Sequence, residues 1–109
     1  MADIDKEQVA EIAVDTQVDP TGVLIVSVSG ELDSSNAASL EANVASVASE
    51  HTKRVIFDLS ALRFMDSAGI AVLVGVAARV NAVQLREPSQ AVRRVVELTG
   101  LSGVLPLES

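Results

Sequence analysis

The segment Phe64-Met65-Asp66-Ser67-Ala68-Gly69-Ile70 sets an acid and a hydroxyl side by side where a strand exit meets the start of an apolar helix. Two chemistries fit those residue types in that order. Asp66 or Ser67 can accept hydrogen bonds from the free backbone amides of a first helical turn, and the small Ala68 and Gly69 let another backbone approach closely. The same arrangement can display a serine hydroxyl at the positive end of a helix dipole, where an added phosphate would be tolerated. Spacing alone leaves both readings open. A serine nucleophile would also need a base, and the one histidine, His51, precedes the third predicted strand while Ser67 lies beyond its far end. Seven strand residues span roughly 23 Å, which excludes the contact of about 3 Å that activation requires. His51 reads as a surface residue near a helix C-terminus.

Other reactive constellations fail on spacing or composition. A phosphate-cradling loop needs glycine, four residues, then Gly-Lys-Ser/Thr; the lysines are Lys6 and Lys53, and neither follows a glycine. No Gly-x-Gly-x-x-Gly occurs, and Gly100-Leu101-Ser102-Gly103 has the wrong spacing for a nucleophile elbow, so it reads as a helix stop and turn. The absence of cysteine removes disulfides, thiolate metal sites and cysteine nucleophiles, and a single histidine excludes a His-rich metal cluster. No catalytic residue, metal or cofactor is expected. The only aromatics, Phe57 and Phe64, are too few for a base-stacking platform.

The formal charge of −7 is unevenly placed: eight acids stand against Lys6 alone in residues 1–35, whereas residues 36–109 balance. Phosphate backbones and anionic membrane faces call for a basic footprint, so nucleic acid and membrane surfaces are disfavoured partners. An acidic surface of this kind aids solubility. The N-terminus lacks the basic and apolar regions of a signal peptide. The longest uncharged stretch, Ser67 to Ala78, is far shorter than the roughly 20 residues of a membrane span. A cytoplasmic protein with no membrane insertion is expected.

These residues must be held by one domain, since 109 residues at 49% hydrophobic content supply a single ordinary core. Residues 1–11 read as an acidic lead and 12–109 as the folded domain. Alternation from Ile12 to Val18, turn chemistry at Asp19-Pro20-Thr21-Gly22 and the β-branched run Val23–Val28 predict a hairpin. Gly30-Glu31-Leu32-Asp33 closes it, and Ser34-Ser35-Asn36 offers capping side chains to a helix carrying Leu40, Val44, Val47 and Ala48 to about Glu50. A buried strand is predicted at Arg54–Leu59, a helix at Ser67–Val80, a short strand at Ala82–Arg86, a helix at Ser89–Thr99 stopped by Gly100, and an edge strand at Val104–Leu107. The order β-β-α-β-α-β-α-β implies an α/β domain, a mixed sheet of four to five strands covered by helices.

Taken together, Gly30-Glu31-Leu32-Asp33, Val55-Ile56-Phe57-Asp58-Leu59-Ser60, Phe64-Met65-Asp66-Ser67-Ala68-Gly69 and the run from Pro88 to Leu101 resemble the STAS domain of anti-sigma factor antagonists. The resemblance covers about residues 12–107, in order. It implies an interaction protein that binds an anti-sigma factor, itself a GHKL-type serine kinase, so that a sigma factor is released. It further implies that the kinase inactivates the antagonist by phosphorylating Ser67 and that a serine phosphatase restores it. The partner surface implied comprises Asp33, Ser34, Asp66, Ser67, Ala68 and Gly69. Three features depart from the family pattern: Ala68 stands where many members carry a second serine, the Asn81-Ala82 connection is short and lacks glycine, and many relatives continue into another helix beyond the point matching Ser109. Two other readings are a STAS subunit of a membrane transporter or lipid-transport ATPase, and a small hydrolase using Ser67, the latter disfavoured by the position of His51.

Overall fold

The computed structural model describes residues 11–49, 52–101 and 103–108; the acidic lead up to Ala10 and His51 lie outside the described residues. Strand β1 (Ile12–Val18) turns into β2 (Val23–Leu32), followed by α1 (Ala37–Val47), β3 (Arg54–Asp58), β4 (Leu62–Met65), α2 (Ser67–Ala77), β5 (Ala82–Arg86), α3 (Gln90–Leu98) and β6 (Leu107–Glu108). At the hairpin turn the Asp19 carboxylate accepts from the amides of Thr21 and Val23 at 2.8 and 3.1 Å and from the Thr21 hydroxyl at 2.6 Å. These bonds, the Thr21 hydroxyl foremost, hold the Asp19 carboxyl below its ordinary pKa. Gly22 takes φ +92°, which a glycine supplies without strain.

β1 pairs antiparallel with β2, and β2, β3, β5 and β6 follow one another in parallel. The connections β2–α1–β3, β3–α2–β5 and β5–α3–β6 all step the same way across the sheet. Right-handed crossovers taken in one direction lay every helix on one face. Burial follows: Leu24, Val26, Val55, Phe57, Val83 and Leu85 are buried under the helices, while the intervening Ile25, Ser27, Asp58, Gln84 and Arg86 are half-exposed and Ile56, between Val55 and Phe57, is buried. The buried side chains form one continuous core that includes Leu73 and Val76 of α2 and Val92 and Val96 of α3.

The α/β architecture agrees with expectation, and five strands lie in line; the differences are local. β4 is an addition to the expected elements, since the sequence from Phe64 onward reads as a strand exit into a helix. It takes over the edge of β2 that β3 leaves, pairing Gly30–Leu32 where β3 pairs Val23–Ser27. The jog between them is held by the Asp58 carboxylate, which accepts from the Ser60 amide and hydroxyl, and by the Gly30 amide donating to the Ala61 carbonyl at 3.1 Å. The capping role expected of Ser34, Ser35 and Asn36 is also not filled. Asn36 sits at the N-cap of α1 but its side chain makes no cap bond, being drawn back to the end of β2 instead. α1 stops at Val47 and α2 at Ala77, both short of the expected Glu50 and Val80, since residue 48 is already extended and the Arg79 guanidinium bonds the Gly75 carbonyl. The last strand shifts to Leu107–Glu108, because the amides of Val104 and Leu105 turn back to the Leu101 carbonyl and bury Leu105. Pro106 has no amide to donate, yet its carbonyl accepts from Leu85 at 2.9 Å, so it serves an edge without costing a ladder bond.

No helix among the described residues is long and apolar enough to cross a membrane.

Candidate functional site

The site forms where β2 and β4 end side by side. Leu32 and Met65 are register partners in parallel strands, and the Asp66 amide donates to the Leu32 carbonyl at 3.2 Å. Adjacent strands lie about 4.8 Å apart, so Asp33 and Asp66, each one residue beyond that pair, leave the sheet as neighbours. Residues beyond the C-terminal ends of parallel strands are where α/β sheets build their sites.

Asp66 is the N-cap of α2. Its backbone is extended, and its carboxylate accepts from the amides of Ala68 at 2.9 Å and Gly69 at 3.4 Å. Of the two capping candidates, the acid takes the role. Ser67 therefore becomes the first residue of the helix proper, exposed, with its hydroxyl lacking a hydrogen-bond partner among the described residues. Ala68 is half-buried against the core.

Gly69, expected at the partner surface, packs inward. It is buried, and a Cβ built on it would stand 2.5 Å from Met65 Cγ and 2.8 Å from Leu32 Cδ2. Its part is to let the first turn of α2 settle onto the ends of β2 and β4, which fixes where Asp66 and Ser67 stand.

The neighbouring loop is equally constrained. Asn36 Oδ1 accepts from the Asp33 amide at 3.0 Å while Asn36 Nδ2 donates to the Glu31 carbonyl at 2.9 Å. The Asp33 carboxylate accepts from the Ser35 hydroxyl at 2.6 Å and the Ser35 amide at 2.8 Å. Those two bonds, the hydroxyl's first, stabilise the charged form and hold the Asp33 carboxyl below its ordinary pKa. Ser34 is exposed at the bend. Gly30, at φ +100°, carries an irregularity of the β2–β4 register, and a Cβ there would lie 2.2 Å from the Glu11 carbonyl oxygen. Asn36, expected as a capping side chain, instead spans the Asp33 amide and the Glu31 carbonyl.

The register thus brings Asp33 and Asp66 out of the sheet side by side, with Ser34 and Ser67 next in the chain after each. Surface concavities lie elsewhere. One of about 290 Å³ is lined by Asp15, Ser27, Ser29, Asp58 and Ser60, and another of about 310 Å³ lies between α1 and α2 at Val44, Ala48, Val76 and Val80. Neither includes Ser67. Ser67 itself is exposed at the start of α2, beside an Asp66 carboxylate engaged by the amides of Ala68 and Gly69.

Comparison with known proteins gives a consistent picture. The family model described as the STAS domain matches residues 13–109. The Bordetella bronchiseptica protein BtrV, assigned as an anti-sigma factor antagonist, is 36% identical over 90 residues, spanning 79% of this chain and 78% of that protein. The anti-sigma-F factor antagonist RsfB of Mycobacterium tuberculosis is 32% identical over 66 residues, covering 61% of this chain and 54% of that protein. Among solved structures, an anti-sigma factor antagonist from Mycobacterium paratuberculosis superposes with a TM-score of 0.80 at 32% identity, over 90% of this chain and 86% of that one.

Proposed function

Since the chain belongs to the STAS domain family, we propose that it is an anti-sigma factor antagonist whose binding to an anti-sigma factor frees a sigma factor. In this reading the anti-sigma factor is a GHKL-type serine kinase that switches the antagonist off by phosphorylating Ser67, and a serine phosphatase switches it back on. The chain is then a binding protein in the cytoplasm and a substrate of enzymes, with no catalysis of its own. One observation carries the proposal: Asp66 does the capping, so the exposed Ser67 hydroxyl beside it has no structural task.

The physics of the switch follows from that division of labour. A phosphoserine adds about 1.5 to 2 negative charges. The amides of Ala68 and Gly69 are already held by the Asp66 carboxylate, so the phosphate cannot take them without evicting the cap. It stands instead next to Asp66 and near Asp33, in an acidic rim. Burying that group in an interface costs several kcal/mol unless the partner provides basic residues. A 1000-fold loss of affinity corresponds to only about 4 kcal/mol, so one modification suffices. The fold is retained, because Ser67 faces solvent and the buried residues of α2 begin at Gly69.

Substitution tests the reading. Ser67→Asp is expected to melt like wild type while binding the anti-sigma factor weakly, and Ser67→Ala to bind and to resist ATP-driven release. A wild-type chain that binds no anti-sigma factor would overturn the proposal.

A further inference from the structure

The carboxamide of Asn36 is turned toward the strand behind it and away from the helix ahead. Nδ2 donates to the Glu31 carbonyl at 2.9 Å, and Oδ1 accepts from the Asp33 amide at 3.0 Å. Those two backbone groups flank Leu32, a wholly buried residue whose register partner is Met65. One side chain thus fastens the chain on both sides of the point where β2 ends and the site begins. The start of α1 is held by other bonds. The amides of Ser39 and Leu40 donate to the Asn36 carbonyl at 3.0 and 3.3 Å, and those of Asn36 and Ala37 to the Asp33 carbonyl at 3.2 and 2.9 Å. Main-chain bonds of that kind do not depend on the side chain at position 36, and that side chain makes no cap bond to α1. Ser35 completes the loop, its amide and hydroxyl both donating to the Asp33 carboxylate. The Asp33 carboxylate is therefore aimed by Ser35, and its backbone by Asn36.

We infer that Asn36 is a positioning residue for the partner contact, holding Asp33 in the backbone geometry that the anti-sigma factor meets beside Ser67. The inference rests on the function proposed above and adds to it the group that keeps the docking loop in shape. Asp33 and Asp66 each follow one of two register partners, on strands about 4.8 Å apart. A stable protein–protein contact covers about 800 Å² of each partner, so a protein that covers Ser67 covers Asp33 as well. Only a carboxamide offers a donor and an acceptor on one planar group. A threonine at position 36 reaches at most one of the two backbone groups, and an alanine reaches neither. Without the bridge the loop samples other arrangements, and apparent affinity falls with the fraction of chains in the docking geometry. The effect runs through Asp33, because the Ser67 end of the site is fixed separately by the bonds of Ala68 and Gly69 to the Asp66 carboxylate.

The test uses purified full-length chain and the GHKL-type anti-sigma kinases of the same genome, titrated one at a time. Asn36→Ala is expected to weaken binding about 10-fold, equivalent to about 1.4 kcal/mol. KM for phosphorylation of Ser67 should rise by the same factor with kcat unchanged, the pattern of lost binding without lost chemistry. Hydrogen exchange of the variant alone should show the Asp33 amide losing protection while the Ala68 amide keeps its own; equal protection at Asp33 would overturn the inference without any partner. Asn36→Gln, which restores both groups, should recover part of the affinity. Circular dichroism melts establish that each variant is folded at the assay temperature, and Asn36→Thr decides the matter if Asn36→Ala is not. A double-mutant cycle separates positioning from general stability: on an Asp33→Ala background, Asn36→Ala should cause no further loss of affinity. A loss that persists there in full would overturn the inference. Wild-type binding that Ser67→Asp weakens but neither Asn36→Ala nor Asn36→Thr alters would overturn it too and leave the proposed function standing. Absence of wild-type binding to every kinase would overturn both.

Discussion

Gly69 shows how tightly single residues set this site. Alanine would gain up to about 1 kcal/mol of helix propensity over glycine, but its methyl would collide with Met65 and Leu32, both buried. Overpacking of that kind costs about 1–3 kcal/mol, so Gly69→Ala should be destabilising by about 1–2 kcal/mol in a urea melt; a neutral or stabilising result would mean the helix sits further from the strands. Asp33 offers a second check. Its folded pKa is depressed by Ser35, so its contribution to stability is present above the ordinary value of 3.8 and is lost as pH falls through the depressed one. Carboxyl titration by NMR should place Asp33 below 3.8, and Ser35→Ala should raise it toward that value. Asp66 and Ser67 were legible in the sequence because an acid and a hydroxyl directly before a long apolar run suit a helix start. Which of the two caps was not legible, since either side chain can reach the amides until the backbone entry angle is known.

At the level of elements, legibility followed periodicity. α2 reads as a buried helix because it is apolar nearly all round, and its Ile70, Val72, Leu73 and Val76 are buried, with Val74 partly so. Leu73 is wholly buried, and Leu73→Ala should cost about 2–5 kcal/mol in a denaturant melt. A silent substitution would show that α2 is misplaced, and the site with it. β4 escaped notice for the opposite reason. Four residues with both ends buried and both middle positions exposed do not alternate, so no strand period can be read from them. Yet β4 sets the site, since its Met65 stands in register with Leu32 and so Asp66 and Asp33 leave the sheet side by side. The capping bonds expected within Ser34–Asn36 failed because Ser35 and Asn36 bond instead to Asp33 and Glu31, two to five residues back at the end of β2.

On the scale of the whole molecule, every crossover running in one direction places the helices on one face and leaves the C-terminal ends of β2 and β4 as a platform for the acidic rim. Control by one phosphate then needs no rearrangement of the fold, only a change in what the platform presents. The measurement that tests this most directly is the equilibrium affinity for a cognate anti-sigma kinase of two samples in the same buffer, the unmodified chain and the chain stoichiometrically phosphorylated on Ser67. The phosphorylated chain should bind on the order of 1000-fold more weakly, with far-ultraviolet circular dichroism unchanged, whereas equal affinity of the two would contradict the switch and reduce Ser67 to the first residue of a capped helix.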